Sequence, residues 1–376
     1  MSEWKEYNLN EVYDFASGLS KGAAEFGFGH GFLGFKDVFH NFFAPDELTS
    51  LVNSTEKEQE SCSIKRGDVF LTRTSETDED LGMSCVALKD YPKATFNGFT
   101  KRLRPKGNVE ILPEYAGFYF RSPKFRGTVS GMSSITTRAS LNNSMLAQLT
   151  IDLPPIKEQK AIADTLFSLH RKVELLEQQN KTIEQLAETL FRKWCVEKED
   201  LGLAEIKFGD LVQPKKGKNL TKSEAIEGDY PVVAGGLEPS CYHNKANTQS
   251  PVVTISASGA NAGYVRLYHT PIWSSDSSFI DETITPFVFF SYLLLKSKQL
   301  LLFDKQEGSA QPHIYPRHIM ELEILNYPMK LISEFEGDVK PLFNKIKSNQ
   351  IQIRTLTQSR NTLLPKIMNK EAYISI

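Results

Sequence analysis

With 376 residues, of which 40% are hydrophobic and 24% charged, the chain is long enough for two ordinary cores and has the composition of a folded protein, which excludes a disordered or fibrous one. Its formal net charge of −2 excludes a broadly basic surface, so a polyanionic partner would have to be met by local fields. No apolar run reaches the ~18 residues of a membrane span: the longest, 287–295, is interrupted by Ser291 and followed by Lys296.

The N-terminus, Met1-Ser-Glu-Trp-Lys-Glu, lacks the basic-then-apolar order of a secretion signal, so a cytoplasmic protein is expected. Gly29, Gly31 and Gly34 spell GxGxxG, but the segment reads as opening onto Phe35-Lys-Asp-Val-Phe-His rather than a helix, with no strand before it; the aromatic stretch 26–43 is expected to be packing. Asp68-Val-Phe-Leu-Thr has the β-branched and aromatic content of a strand, and a helix is expected over 115–121. Between 89 and 138 ten basic residues face only three acidic ones, a local positive field or a solvated face. A long helical pattern follows over 154–198. The second half repeats the plan: Pro251-Val-Val-Thr-Ile and Gly263-Tyr-Val-Arg-Leu-Tyr as strands, an apolar helix over 287–302, a Gly308 loop that corresponds to one at Gly131, and a final helix over 327–376. Cys62, Cys85, Cys195 and Cys241 form no CxxC pair, so neither a zinc site nor a disulfide framework is expected.

Laid over itself with an ungapped shift of 173 residues, the chain superposes its two helical segments. Pro155 falls on Pro328, Ile162 on Phe335, Leu166 on Val339, Leu169 on Leu342 and Val173 on Ile346, with Gln179/Gln352, Lys172/Lys345 and Lys193/Lys366 identical. A repeat of this length makes the halves two copies of one module. In the first segment Ile162, Leu166, Leu169, Val173, Leu176, Asn180, Ile183, Ala187, Leu190 and Trp194 alternate steps of four and three, a heptad seam. The second seam runs Phe335, Val339, Leu342, Ile346, Asn349, Ile353, Leu356, Arg360, Leu363 and Ile367. Each seam carries one asparagine, a residue that sets register at some cost in stability. Forty helical residues rising ~1.5 Å each make a rod of roughly 60 Å, a spacer of defined reach. Antiparallel pairing is expected, related by a pseudo-twofold axis. An interior proline removes a hydrogen bond, so Pro341 marks an expected kink or start of the second helix.

The chain has no GxxxxGK[ST] phosphate loop and no HExxH metal pair, and His313 with His318 shows no metal-ligand pattern. Asp152-Leu-Pro-Pro has the wrong spacing for the Asn/Asp-Pro-Pro-Tyr motif of amino-methyltransferases, and its prolines suit a helix start. Catalysis by this chain alone therefore has no motif behind it.

Leu153-Pro-Pro-Ile-Lys-Glu-Gln-Lys-Ala-Ile-Ala, followed by Gln179-Asn-Lys-Thr-Ile-Glu-Gln-Leu-Ala-Glu-Thr-Leu-Phe-Arg-Lys-Trp, resembles the central conserved region of type I restriction-modification specificity subunits, and Gln350-Ile-Gln-Ile-Arg-Thr-Leu-Thr-Gln-Ser-Arg-Asn-Thr-Leu-Leu-Pro-Lys-Ile resembles the C-terminal counterpart. The resemblance implies an α+β architecture: a target-recognition domain over 1–153, a central conserved helix over 154–198, a second target-recognition domain over 199–326, and a C-terminal conserved helix over 327–376, the helices pairing as an intramolecular antiparallel coiled coil. It implies a non-catalytic subunit that reads a two-part double-stranded DNA site and serves phage defence. The partners would be two modification subunits carrying adenine N6 methylation with S-adenosylmethionine, and restriction or motor subunits using ATP and Mg. This chain would hold no cofactor or metal.

Arginine and lysine pair with guanine, asparagine and glutamine with adenine, and hydroxyls with either, over a background of phosphate contacts. Candidate readers in the first domain are Arg73, Thr74, Ser75 and Glu76, then Lys101, Arg102 and Arg104, then Ser133, Ser134, Thr136, Thr137 and Arg138. In the second they are Lys215, Lys216, Lys218, Ser256, Ser258, Asn261, Gln311, His313, Tyr315 and Arg317. Tyr91, Phe96, Phe99, Tyr264, Tyr268 and Trp273 are expected in the core. The competing function is a coiled-coil scaffold with two protein-binding domains, in keeping with the acidic balance.

Overall fold

The computed structural model describes residues 4–75, 80–132, 139–196, 203–308 and 311–372. The chain divides into two compact units, the first formed by residues 1–174 with 354–376 and the second by residues 175–353. Both long helices cross this division, so each contributes one part to each unit.

The first unit begins with β1 (Lys5–Asn8), α1 (Leu9–Val12) and β2 (Tyr13–Ser17), then β3 (Phe26–Leu33), α2 (Phe35–His40), β4 (Leu51–Val52) and α3 (Glu56–Ser61). Thr55 and Glu58 cap α3 reciprocally: the Thr55 N–H donates to Glu58 Oε2 at 2.8 Å and the Glu58 N–H to Thr55 Oγ1 at 3.4 Å. Next come β5 (Val69–Thr72), β6 (Thr74–Ser75), β7 (Ser84–Val86), β8 (Thr95–Phe96) and β9 (Thr100–Pro105). The unit continues through α4 (Pro113–Tyr119), α5 (Pro123–Met132), β10 (Ala139–Ser140), α6 (Asn143–Gln148), β11 (Thr150–Leu153) and the start of α7 (Ile156–Phe191). β1 and β11 pair antiparallel with Lys5 opposite Leu153, closing the segment on itself before α7 leaves it.

Its main sheet has the order β2-β9-β5-β7, and β3 joins β4 and β8 in a second sheet. β5 is buried throughout because both its faces are covered: Val69 and Leu71 enter one core with Tyr115, Phe118 and Phe125, while Phe70 enters another with Phe32, Val38 and Phe96. Truncating a fully buried ring such as Phe118 would cost about 3–5 kcal/mol. Ile162, Ala163 and Leu166 of α7 share the first of these cores with Leu364, Ile367 and Met368.

The second unit repeats the order of events. β12 (Glu205–Lys207), α8 (Phe208–Leu211), β13 (Lys215–Lys216), β14 (Tyr230–Val233), β15 (Cys241–His243), β16 (Val252–Ser256), β17 (Val265–Tyr268), β18 (Trp273–Ser274) and β19 (Ser277–Asp281) lead to α9 (Val288–Ser297), α10 (Gln299–Asp304), α11 (Pro316–Met320), β20 (Glu323–Leu325) and α12 (Met329–Met368). β12 and β20 pair antiparallel with Glu205 opposite Leu325. The main sheet runs β13-β19-β16-β17, and β14 pairs antiparallel with β15 and parallel with β18. This matches the first unit, where β3 pairs antiparallel with β4 and parallel with β8.

Three expectations change. The glycines of the GxGxxG lie in or just after a strand, β3, and a helix does follow, with the Gly34 N–H donating to Asp37 Oδ2 at 2.8 Å. Gly29 is required because its φ is +95° and a Cβ would stand 2.6 Å from the Val52 carbonyl oxygen. A six-residue helix after glycines that pair inside a sheet is no dinucleotide loop. The apolar 287–302 segment is two helices, because the backbone leaves the helical path at Lys298. α12 runs unbroken through Pro341: Pro341 and Gly337 are both exposed, so the acceptor the ring leaves unpaired faces water, while Val339, Phe343 and Ile346 bury the opposite face.

Candidate nucleic-acid interface

In the second unit the polar side chains gather at one end of the main sheet. β13 is an edge strand that exposes Lys215 and Lys216 opposite Phe279 and Ser278. The chain then turns over the sheet end at Gly217, where a Cβ would lie 2.5 Å from the Ser275 carbonyl oxygen. Exposed Lys218 is anchored by its own N–H to the Ser274 carbonyl at 2.9 Å and by its carbonyl from Trp273 Nε1 at 2.8 Å. Beside it β16 ends. The Ala257 N–H donates to the Asp276 carbonyl at 3.1 Å, the Ile314 N–H donates to the Ala257 carbonyl at 2.8 Å, and Ser258 Oγ donates to Asp276 Oδ2.

The segment after Gly308 folds back onto this corner. Glu307 and His313 exchange main-chain hydrogen bonds of 3.0 and 2.8 Å around Gly308, whose φ is +97°, and Ser258 bridges to His313. The His313 and Tyr315 rings stack with centroids 6.0 Å apart at 13°, and the Arg317 guanidinium lies 5.1 Å over Tyr315. Glu307 holds Arg317 at 2.8 Å and His318 at 3.0 Å. Gln311 and Arg317 are exposed, and His313 and Asn261 half-buried. Ser256 is 5% exposed and part of the sheet, so it is not available to a ligand.

The first unit has the same corner in its backbone. The Arg73 N–H donates to the Phe99 carbonyl at 2.9 Å, the Leu141 N–H to the Arg73 carbonyl at 2.8 Å, and the Leu19 N–H to the Phe96 carbonyl at 2.8 Å. Gly18, like Gly217, is pressed against a main chain: a Cβ would lie 2.2 Å from the Asn97 carbonyl oxygen. Arg73 therefore stands where Ala257 stands, Phe99 where Asp276 stands, and Leu19 where Lys218 stands. Thr74 pairs with Ser140 and Ser75 with Ala139 at the edge of this corner. Glu76, Ser133, Ser134, Thr136, Thr137 and Arg138 lie outside the described residues. Gly131 is in the last turn of α5, so the loop expected there does not contain it.

The three cations of β9 do different work from one another. Lys101 is 8% exposed, with Nζ donating to Ser17 Oγ and Asn143 Oδ1, both at 2.9 Å; burial, then the nearby Arg73 charge, lowers its pKa. Arg102 is also 8% exposed, donating to the Ser63 carbonyl at 2.7 Å beneath the Phe96 ring. Arg104 grips fully buried Asp68 through Nε at 2.8 Å and Nη2 at 2.6 Å, a bidentate pair. Arg121 donates to the carbonyls of Ser84, Val38, Phe39 and Asn41, with burial lowering its pKa to about 10, and Arg126 donates to the Leu81 carbonyl. The expected basic field over 89–138 is thus in large part internal scaffolding, because each of these guanidinium groups meets carbonyls the irregular backbone leaves unpaired.

Among the aromatics set aside as core, Tyr91, Phe96 and Tyr268 are buried and Tyr264 and Trp273 half-buried, but Phe99 is 60% exposed. The signal for it is local: Asn97-Gly98 is a turn pair between two strand runs, which places Phe99 at a tip rather than in a strand.

The seams show a matching division. In the first unit Ile162, Leu166 and Val173 are buried and Leu169 half-buried, with Leu356, Arg360 and Leu363 half-buried on the other helix; Ile353, also half-buried, is the last residue of the second unit. Arg360 Nη1 meets His170 Nδ1 at 3.2 Å and its guanidinium lies 4.5 Å over Phe42. In the second unit Leu176, Ala187, Val339 and Ile346 are buried, and Ile183, Leu190, Trp194 and Leu342 half-buried. There the two seam asparagines meet: Asn349 Nδ2 donates to Asn180 Oδ1 at 2.8 Å and to Gln179 Oε1 at 2.9 Å.

Comparison with known proteins gives a consistent result. The family described as the type I restriction modification DNA specificity domain matches residues 1–185. The chain is similar to the type I restriction enzyme MjaIX specificity subunit of Methanocaldococcus jannaschii, 24% identical over 363 aligned positions that cover 84% of this chain and 81% of that one. It is also similar to the type I restriction enzyme HindI specificity subunit of Haemophilus influenzae, at 22% identity, covering 99% of this chain and 100% of that one. In fold it is similar to the crystal structure of a type I restriction-modification system S subunit from M. genitalium, with a TM-score of 0.60 at 16% identity, covering 97% of this chain and 96% of that one.

Proposed function

We propose that this chain is a type I restriction-modification DNA specificity subunit, itself non-catalytic, and that it reads a two-part double-stranded DNA target, one half with each unit. One observation carries the reading: the two units build the same corner from the same main-chain hydrogen bonds and furnish it with different side chains, Arg73, Thr74 and Phe99 in one, Ala257, Ser258 and Asp276 in the other. A reader of two unrelated half-sites needs such a shared frame, because phosphate contacts position the duplex in the same way each time while base-edge contacts must differ.

The two long helices act in this proposal as an antiparallel coiled coil within a pseudo-twofold repeat. In the first unit Trp4 contacts both Glu158 and Lys370 while His170 meets Arg360; in the second Asn180 meets Asn349 while Phe191 meets Phe335. In each unit the residue numbers of the two helices run in opposite directions. The matching sheet orders support the repeat. The assembly we propose is with two modification subunits that use S-adenosylmethionine and with restriction or motor subunits that use ATP and Mg, in the cytoplasm where the DNA lies.

The test is base-modification sequencing of DNA from cells that make this chain with its modification subunit, repeated after residues 1–153 are exchanged for those of a relative. A split methyladenine motif in which only one half changes is the expected result. An unchanged motif, or none from a properly folded complex, would defeat the proposal and favour a protein-binding scaffold.

A further inference from the structure

We propose that Phe99 is an aromatic wedge that stacks on a base step of the half-site held by the first unit, with Arg73 as the cation beside it. This rests on the DNA-reading function proposed above and assigns it an asymmetry: the second unit carries Asp276, not a ring, at the same place.

The geometry begins with the β5/β9 ladder. Thr72 is opposite Thr100, so the next pair outward sets Arg73 against Phe99, joined by the Arg73 N–H to the Phe99 carbonyl. Alternation places Leu71, Arg73, Phe99 and Lys101 on one face. That face passes from buried Leu71 and Lys101 to half-buried Arg73 and the 60% exposed Phe99 ring. Among the described residues no other ring packs on Phe99.

The tip is held stiffly. The Phe99 N–H donates to Asn97 Oδ1 at 2.7 Å, Thr100 donates to the Asn97 carbonyl through its N–H at 3.0 Å and its Oγ1 at 2.6 Å, and the Gly98 N–H donates to the Leu19 carbonyl at 2.9 Å. A Cβ at Gly98 would lie 2.1 Å from Ser20 Oγ. A rigid mount matters for a wedge because a ring on a mobile loop would lose ordering entropy on insertion, whereas this ring is already placed. The strand positions that share its face carry cations, Arg73 opposite and Lys101 two residues on: Arg73 Nε is buried with no hydrogen-bond partner among the described residues, and the Arg73 charge acts on Lys101. Aromatic faces stack on any base, and an adjacent cation meets the phosphates that flank the step.

The experiment uses the chain assembled with its modification subunits on a duplex bearing the methylated motif, with 2-aminopurine placed in turn at each step other than the methylated adenine. The native complex should brighten the probe at one step, in the half-site assigned to the first unit by the domain exchange. Phe99→Ala should abolish that signal and weaken binding on the order of ten-fold, Phe99→Trp should retain both, and Phe28→Ala, which removes another exposed ring, should change neither. Unchanged affinity and fluorescence in Phe99→Ala would overturn the wedge while leaving the reading of a two-part site intact. Loss of subunit assembly in Phe99→Ala would make the ring a protein contact and overturn it too. A native complex that selects no two-part motif would remove both the wedge and the function it rests on.

Discussion

Replacing Glu336 by glutamine should flatten the pH dependence of stability. Glu336 is 8% exposed on α12, and its carboxylate accepts the first-turn amides of α9, Phe289 N–H at 3.1 Å and Phe290 N–H at 2.7 Å. The two amides favour the charged form, but burial outweighs them and pushes the carboxyl from 4.5 up to about 7. A carboxyl protonated more readily in the folded chain than in the unfolded one gives its stabilisation in full below the unfolded value and loses it as pH rises through about 7. At 1.36 kcal/mol per pH unit over that span, the loss between pH 5 and 8 is about 3 kcal/mol. His269 opposes it: buried against Phe289 and Phe343, its ring is lowered to about 4 by burial first and Lys347 second, so its contribution is present above 6.5 and lost as pH falls through about 4. The native curve therefore mixes two slopes, and only the difference between variant and native chain isolates Glu336. Urea unfolding at pH 5, 6, 7 and 8 should show the variant gaining about 3 kcal/mol on the native chain across that range, above a constant cost of about 1 kcal/mol for the acceptor that the amide lacks. Parallel curves would refute the argument from burial.

Asn349→Ala should destabilise the chain by about 2 kcal/mol, one for each donated hydrogen bond, and a double-mutant cycle with Asn180→Ala should give a coupling of about 1 kcal/mol; strict additivity in thermal unfolding would show that the asparagines do not act together. Arg104→Ala leaves Asp68 buried and unpaired, so a loss of about 3–5 kcal/mol is expected by urea titration, with DNA affinity per folded complex unchanged; a selective loss of DNA binding instead would return Arg104 to the interface. Lys216→Ala with Lys218→Ala should weaken binding to all sequences alike and reduce the slope of log affinity against log salt by about 2, read by fluorescence anisotropy from 50 to 300 mM salt. A change in the methylated motif would make these lysines base readers.

The two long helices were legible in the amino-acid sequence because a helix announces itself through one repeating dihedral pair: Ile162, Leu166, Val173 and Ile346 bury the faces their spacing marks, and Asn180 and Asn349 appear as the polar breaks of those faces. The resemblance to type I specificity subunits was legible for the same reason, since the residues that carry it lie in that regular stretch. The candidate interface was not, because it is assembled from turns and strand ends that lie far apart in the chain. Composition puts Arg73, Arg102, Arg104 and Arg121 in one basic class, yet only the fold decides which guanidinium meets Asp68 or a row of orphan carbonyls and which is left beside an exposed ring. Phe96 and Phe99 are three residues apart and chemically the same; one is buried and the other 60% exposed because Asn97-Gly98 turns the chain between them against Leu19. Periodicity is local physics that sequence carries directly, whereas exposure at a turn depends on what distant segments cover, and that was decided only by the tertiary structure.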